Sequence, residues 1–251
     1  MEPADIAELL GEIDEQRLPI LFRILPKELA AETFVEMDSD EQELLINAFS
    51  ERELHDVVEE LFVDDAVDII EEMPANVVKR ILRHTDSEMR NSINEILRYP
   101  KDSAGSIMTT EYVSLKKDMT VSEAFDRIRR TGVDKETIYT CYVTDTDRKL
   151  IGLVTVKELL LSPYNTVINT IMEKNIISVE TLDDKEEVAN MFDKYDFMSL
   201  PVVDKENRLV GIVTFDDAID VIQEENTEDI QKMGALQPIE ETSVSYTHLT
   251  L

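Results

Sequence analysis

The sequence has no tryptophan, a single cysteine and only six glycines. One cysteine, Cys141, excludes an internal disulfide framework and suits a reducing compartment. It lies in an alternating apolar run, so it is expected to be a small core residue. The three histidines (His55, His84, His248) are scattered, without the spacing of a zinc site. No apolar run approaches the ~20 residues needed to cross a bilayer, and no signal peptide opens the chain. The chain as given is therefore expected to be soluble. Positive charge is scarce: 25 Lys and Arg stand against 55 Asp and Glu, a formal charge of −30. That balance argues against nucleic acid and anionic membrane surfaces, and favours cationic partners such as metal ions or basic proteins. Catalytic signatures are also missing. There is no Cys/His pair at a plausible spacing, no GxSxG and no GxxxxGK loop, so an enzyme is not expected.

What is present is repetition of two kinds. With 251 residues, 43% of them hydrophobic, the chain can form two ordinary domains. Residues 1–98 repeat with period twelve, from PADIAELLGEID to SEMRNSINEILR. Positions 4, 7, 8 and 11 of each unit are mostly apolar; in VDDAVDIIEEMP they are Ala66, Ile69, Ile70 and Met73. Spacings of three and four put these on one helical stripe. Each unit has room for a helix of about nine residues and a tight turn, with Asp40, Asp64 and Ser87 as helix starters and Pro26 and Pro74 at unit ends. One such helix cannot bury its stripe alone, so the expectation is an all-helical superhelix of stacked units.

After a linker at 99–103 the pattern changes. Residues 104–167 and 168–225 resemble each other, each reading strand, helix, hairpin, helix. Thr120 and Glu123 form a capping-box signal. The hairpins turn at Asp145-Thr146-Asp147 and Lys205-Glu206-Asn207, and Gly152-x-x-Thr155 and Gly211-x-x-Thr214 lead into helices. Met108 and Met172 hold equivalent places, where core packing is favoured over soft-metal ligation. Residues 226–243 are expected to start a connecting helix. The tail VSYTHLTL (244–251) looks like a translated cloning artefact, so the natural protein is expected to continue past about residue 243.

The doubled strand–Gly–x–x–Thr–helix pattern resembles a CBS-domain pair, or Bateman module. The wider order, helical repeats, then DSAGSIMT (102–109), the pair and TEDI (227–230), resembles the cytosolic portion of MgtE-type magnesium transporters. That resemblance implies an α plus α/β fold: a helical superhelix, a CBS pair and the start of a helix toward a transmembrane domain absent from this chain. It also implies a homodimer through the CBS pair, and a membrane protein whose cytoplasmic regulatory part is in hand.

The acids bear on what such a region does. On a helix, Asp64, Asp68 and Glu71 share a face away from the apolar stripe. Like charges at that spacing are mildly destabilising. One reading is a solvated face; the other is a divalent-cation site shared with a second acidic surface. The second α/β segment supplies such surfaces: Glu186, Asp193 and Asp196 around one helix, and Asp217, Asp220, Glu225, Glu228 and Asp229 after the second hairpin. Magnesium suits such a gap, because it takes oxygen ligands and keeps several waters. Matched to the family, the magnesium ligands implied are Glu32, Asp64 and Asp68 on the helical side. Opposite them stand Glu186, Asp193, Asp196, Asp217, Asp220, Glu225, Glu228 and Asp229. The function expected is magnesium sensing, with the helical domain closing onto the CBS pair at high magnesium and gating transport. The alternative is an adenine-nucleotide sensor, with ATP or a relative held by Thr155, Lys157, Glu158, Thr214 and Asp217; the bland reading of those threonines is helix capping. A peptide-binding scaffold is the third possibility, although no aromatic or basic groove stands out.

Overall fold

The computed structural model describes the backbone of residues 1–233, with side chains at 134, 228, 229 and 231–233 left aside. The tail, and the connecting helix beyond Met233, lie outside the described residues. The repeat period becomes helix spacing. The first domain consists of α1 (Pro3–Gly11), α2 (Leu18–Phe22), α3 (Lys27–Val35), α4 (Ser39–Ala48), α5 (Glu51–Val58), α6 (Val63–Glu72), α7 (Ala75–His84) and α8 (Ser87–Ile96). From α3 onward every helix starts twelve residues after the last. Proline in its first turn accompanies the short α2. The predicted stripe is buried: Ala66, Ile69, Ile70 and Met73 are all in the core. Alternate helices stack, α1 on α3, α3 on α5 and α5 on α7.

The helix signals need correction by one or two positions. Caps fall on the last residue of the preceding unit. Asp38, Ser50 and Asp86 accept from the amides of Glu41, Glu53 and Met89. Asp40, Asp64 and Ser87 lie inside the first turns, and Pro26 and Pro74, at the ends of their units as expected, are the N-caps of the helices that follow. A cap must be non-helical to aim its side chain at the free amides, so it precedes the first residue with helical geometry.

Each α/β repeat carries a three-stranded mixed sheet. The first has β1 (Tyr112–Lys116), α9 (Val121–Thr131), a 3-10 turn (Gly132–Asp134), β2 (Thr137–Thr144), β3 (Leu150–Thr155) and α10 (Val156–Leu161). A short α11 (Ile168–Ile171) leads to the second: β4 (Val179–Glu180), α12 (Lys185–Tyr195), β5 (Ser199–Val203), β6 (Leu209–Thr214) and α13 (Phe215–Met233). The sheets run β1-β2-β3 and β4-β5-β6, with the first pair parallel and the second antiparallel in each. Thr120 and Glu123 complete the predicted capping box. Both hairpins use left-handed residues, Arg148 just past the first predicted turn and Asn207 at the end of the second. Helix α13 runs through residue 226 without a break. Cys141 is fully buried.

Packing units and sequence units differ. Thr109 bridges to Ile212, and Leu153 to Glu173, so the segment leading into each repeat lies on the last strand of the other. Met108 and Met172 ride on these segments, each over a glycine. A Cβ on Gly211 would come 2.6 Å from the Met108 sulfur and 2.8 Å from the Thr109 carbonyl oxygen. A Cβ on Gly152 would come 2.6 Å from the Met172 sulfur. The linker joins the same scheme. Ala104 and Gly105 donate to the carbonyls of Asp183 and Thr181, so the chain leaves the helical domain pinned to the second repeat.

Close approach is what these glycines permit. Gly211→Ala is expected to lower stability by about 1–3 kcal/mol, the usual range for overpacking against an unyielding backbone. Urea unfolding of the two proteins measures this, and equal midpoints would mean that the crossed segment yields.

Candidate metal centre between the helical domain and the second repeat

Two crevices run along the seam where α6 meets α13. One, of about 740 Å³, is lined by Glu32 and Glu36 of the α3 region, Asp64, Asp65 and Asp68 of α6, Glu136, and Asp216, Asp217 and Asp220 of α13. The other, of about 580 Å³, places Asp64, Asp68, Glu71 and Glu72 opposite Asp217, Asp220 and Glu224. Asp64, Asp68, Asp217 and Asp220 line both. Local folding explains the aim. The stripe of α6 faces its neighbours in the stack, which leaves the Asp64–Asp68–Glu71 edge toward the second repeat. On α13, Ala218 and Val221 are buried, so Asp217 and Asp220 sit on the edge that meets α6.

The solvated-face reading fails for Asp64, which is only 9% exposed. Its carboxyl is raised well above the ordinary range, by burial first and then by the charges of Asp217, Asp65, Glu136 and Glu111. Asp217 is likewise raised, chiefly by burial, although bonds from the Thr214 hydroxyl and amide pull the other way. Burial, with help from Asp216, lifts Asp65 to about 6. Asp68 reaches about 7 and Glu136 about 7, again with burial as the main cause and neighbouring acids adding to it. Asp68 keeps part of its surface in water, but the crevice walls remove enough solvent to strain its charge. Asp220 is raised by burial and by Asp216 and Glu224.

Two lysines answer a fraction of this charge. Lys101 pairs with Glu71 at 2.8 Å, and Lys185 with Glu224 at 3.0 Å. Among the described residues, no three acidic, His or Cys side chains converge tightly enough to cage an ion. The donor set is therefore open: carboxylate oxygens on two facing walls, separated by the crevices. That suits a hard, hydrated cation held by one or two carboxylates per wall better than a fully dehydrated one.

The predicted residues divide. Glu32, Asp64, Asp68, Asp217 and Asp220 come together at the seam. Glu186 and Asp193 lie exposed on α12, and Asp196 is its left-handed C-cap; none lines either crevice. Glu225 is half-buried on α13, and its charge reaches Lys185. Glu228 and Asp229 lie outside the described side chains. Sequence reasoning passed over Asp65, Asp216, Glu36, Glu111 and Glu136. The doublets Asp64-Asp65 and Asp216-Asp217 were a usable signal. Glu136 was not legible, because only the fold brings the turn before β2 to this seam.

Four of the nucleotide candidates make bonds at helix starts, while Lys157 lies exposed in the first turn of α10. Thr155 accepts from the Glu158 amide, and the Glu158 carboxylate accepts from the Thr155 amide at 2.8 Å and hydroxyl at 3.1 Å. The longer Glu side chain closes this box without displacement. Thr214 gives its amide to Asp217 at 3.2 Å, and its hydroxyl to the same carboxylate.

A helical-repeat domain seated through an acidic seam on paired three-stranded repeats defines a module built on a Bateman pair. The particular family follows from comparison. The MgtE intracellular N domain matches residues 1–102, and the CBS domain matches 104–163 and 168–224. "Magnesium transporter MgtE" of Thermus thermophilus is 38% identical over 240 residues, 94% of this chain and 53% of that protein. The Bacillus subtilis protein of the same name is 29% identical, over 94% of this chain and 52% of its own. The crystal structure of the cytosolic domain of the Mg2+ channel MgtE in complex with ATP superposes with a TM-score of 0.83 at 36% identity, covering 88% of this chain and 90% of that one. The soluble part of a magnesium transporter superposes at 0.82 and 31% identity, covering 90% and 89%. This chain belongs to the MgtE family, with its N domain and CBS pair. It spans about half the length of the curated relatives it matches. Among the described residues no helix is long and apolar enough to cross a membrane.

The raised carboxyls set a pH dependence. Ordinary carboxyls titrate near 4, so between about pH 4 and 7 the folded chain binds more protons than the unfolded one. Its stability must then fall as pH rises through that window. Glu53, held near 2 mainly by Arg23, acts in the opposite sense, but only below about pH 4.5. In chelator, the melting temperature is expected to drop from about pH 5 to 7.5, and magnesium to flatten the slope. A scanning calorimetry series that is flat in chelator would contradict this.

Proposed function

We propose that this chain is the cytosolic magnesium-sensing region of a magnesium transporter or channel, and that its helical domain closes onto the CBS pair when divalent cations neutralise the seam. The observation that carries this reading is a packed interface of carboxylates on both sides, with burial and mutual charge raising the pKa of several of them. Such an interface costs free energy unless protons or cations offset it. Magnesium is the cation in the names of the relatives, and the open oxygen donor set is of the kind it accepts. A cation shifts the equilibrium only by its preference for the closed form. Several weak sites acting together sharpen the response. When the cations leave, the carboxylates of α6 and α13 push apart, and the release passes along α13 to the transport path. That path belongs to a transmembrane domain which, in the whole protein, sets this region on the cytoplasmic face of the cell membrane.

A homodimer through the CBS pair fits the exposed apolar residues left on both repeats, Leu160, Leu161 and Tyr164 on one and Tyr195, Met198 and Phe215 on the other. Glu186, Asp193 and Asp196 remain members of the proposed cation set. Their exposed face would have to meet a surface other than α6.

Protease protection of the isolated chain during a magnesium titration tests the closure. Wild type is expected to gain protection with magnesium. The double variant Asp64→Asn, Asp68→Asn is expected to be protected already in chelator and to gain little more. A titration curve identical to wild type would remove both residues from the site.

The nucleotide reading is kept because a structure similar to this one holds ATP. Here Thr155 caps α10, and Asp217 already accepts two bonds from Thr214 while facing α6. Calorimetry with ATP and with AMP in metal-free buffer separates the two ligands: heat from ATP alone would assign the triphosphate, and heat from neither would withdraw the nucleotide.

A further inference from the structure

Helix α6 carries the acids, yet it begins without a polar cap of its own. Phe62 holds the N-cap position, and a phenyl ring has no acceptor to offer. Its neighbours α4, α5 and α8 begin with Asp38, Ser50 and Asp86, each accepting an amide of its own first turn. At α6 the acceptor comes from the other domain. The Val63 amide donates to the Glu111 carboxylate at 2.9 Å, across 48 residues of sequence. Glu111 is fixed from both sides: its amide donates to the Thr109 hydroxyl at 3.3 Å, and its carbonyl accepts the Glu136 amide at 3.0 Å. It leads directly into β1.

We infer that Glu111 is a metal-independent latch, a positioning residue of the first CBS repeat that caps α6 across the domain boundary and sets Asp64, Asp65 and Asp68 against α13. The inference rests on the closure reading above. Two effects of opposite sign act through this one carboxylate. Its charge adds to the field at Asp64, Asp65 and Glu136, which opposes closure. Its place over the start of a ten-residue helix favours closure, because the first amides of a helix are free donors at the positive end of its dipole. Val63 is buried, so its amide would lose water and gain nothing without this partner. The short-range bond acts at contact, while the repulsion acts across a partly watery crevice, so the bond prevails. Glu111 then differs in kind from the other acids of the seam. Neutralising Asp64 or Asp68 should ease closure; removing Glu111 should hinder it.

Glu111→Ala and Glu111→Gln in the 251-residue chain test this. In the magnesium-dependent protease assay, the Ala variant is expected to lose about five-fold in its closure equilibrium, the shift typical of a lost helix cap, and its midpoint to rise about two-fold because several ions share that shift. The rise should be smaller in the Gln variant, whose amide oxygen still accepts. A midpoint that is unchanged or lowered in Glu111→Ala would make Glu111 one more repelling acid and overturn the latch. Amide exchange at Val63, followed by NMR in saturating magnesium, where the seam is packed, reads the bond itself and needs no magnesium response. It is expected to quicken in the Ala variant and stay near wild type in the Gln variant; unchanged exchange in the Ala variant also overturns the latch. If wild type itself ignores magnesium, the closure reading fails, and the exchange experiment still decides the latch.

Discussion

Two walls of carboxylate pressed together across a domain seam are the constraint on which the rest of the structure depends. An acid would rather be ionised in water; brought together and half-dried, Asp68 and Glu136 are pushed up to about 7. Apolar packing keeps them there. The core of the helical repeats continues through Tyr99, Ala104 and Met108 into Val179, Val188 and Val213 of the second repeat. The junction is therefore a true core contact, whereas the seam beside it is lined by carboxylates. On the proposed reading, an opening force from the seam would act against this anchored edge, leaving the two domains attached on one side.

Rigidity of the CBS pair makes such a force useful. Crossed segments bind each repeat to the last strand of the other, and the two methionine-over-glycine contacts allow the backbones to touch. The Tyr142 hydroxyl and the Ser199 hydroxyl, 2.7 Å apart and buried, tie the two sheets as well. Buried polar pairs of this kind resist sliding, because separating them would leave both partners unsatisfied. The pair then moves as one piece, and α13, continuous from β6 past residue 226, carries its orientation outward.

The periodic part of this structure was legible in the sequence. A twelve-residue period with apolar positions 4, 7, 8 and 11 fixes helix number, spacing and buried face, because those depend on local geometry alone. Cap positions were misplaced by one or two residues, since Asp and Ser fit both an N-cap and the turn beside it. The crossed segments at 104–109 and 168–173 were not legible. Sequence similarity marks what repeats, not which copy a strand packs on. The seam was half visible. Acid clusters on α6 and α13 can be read as patterns, but their meeting is a long-range event. Glu136 and Glu111, which flank β1 and β2, belong to no acidic run and enter only through tertiary structure.

Asp217 shows how the seam avoids collapsing into a neutral, proton-shared contact. Its carboxylate accepts both the amide and the hydroxyl of Thr214 at the start of α13. Those bonds favour the charged form, while burial and Asp216 favour the neutral one. Protonating Asp217 would therefore weaken a helix start, and leaving it charged keeps repulsion on Asp64. Neither state is comfortable in the closed form. A cation resolves the conflict without breaking the cap, since a carboxylate can accept two hydrogen bonds through one oxygen and offer the other to a hydrated ion. A ribose hydroxyl bound at the same carboxylate would draw on that remaining oxygen. Cation and nucleotide would then be coupled through one residue, and by linkage whichever bound first would change the affinity of the other by the factor that it receives in return.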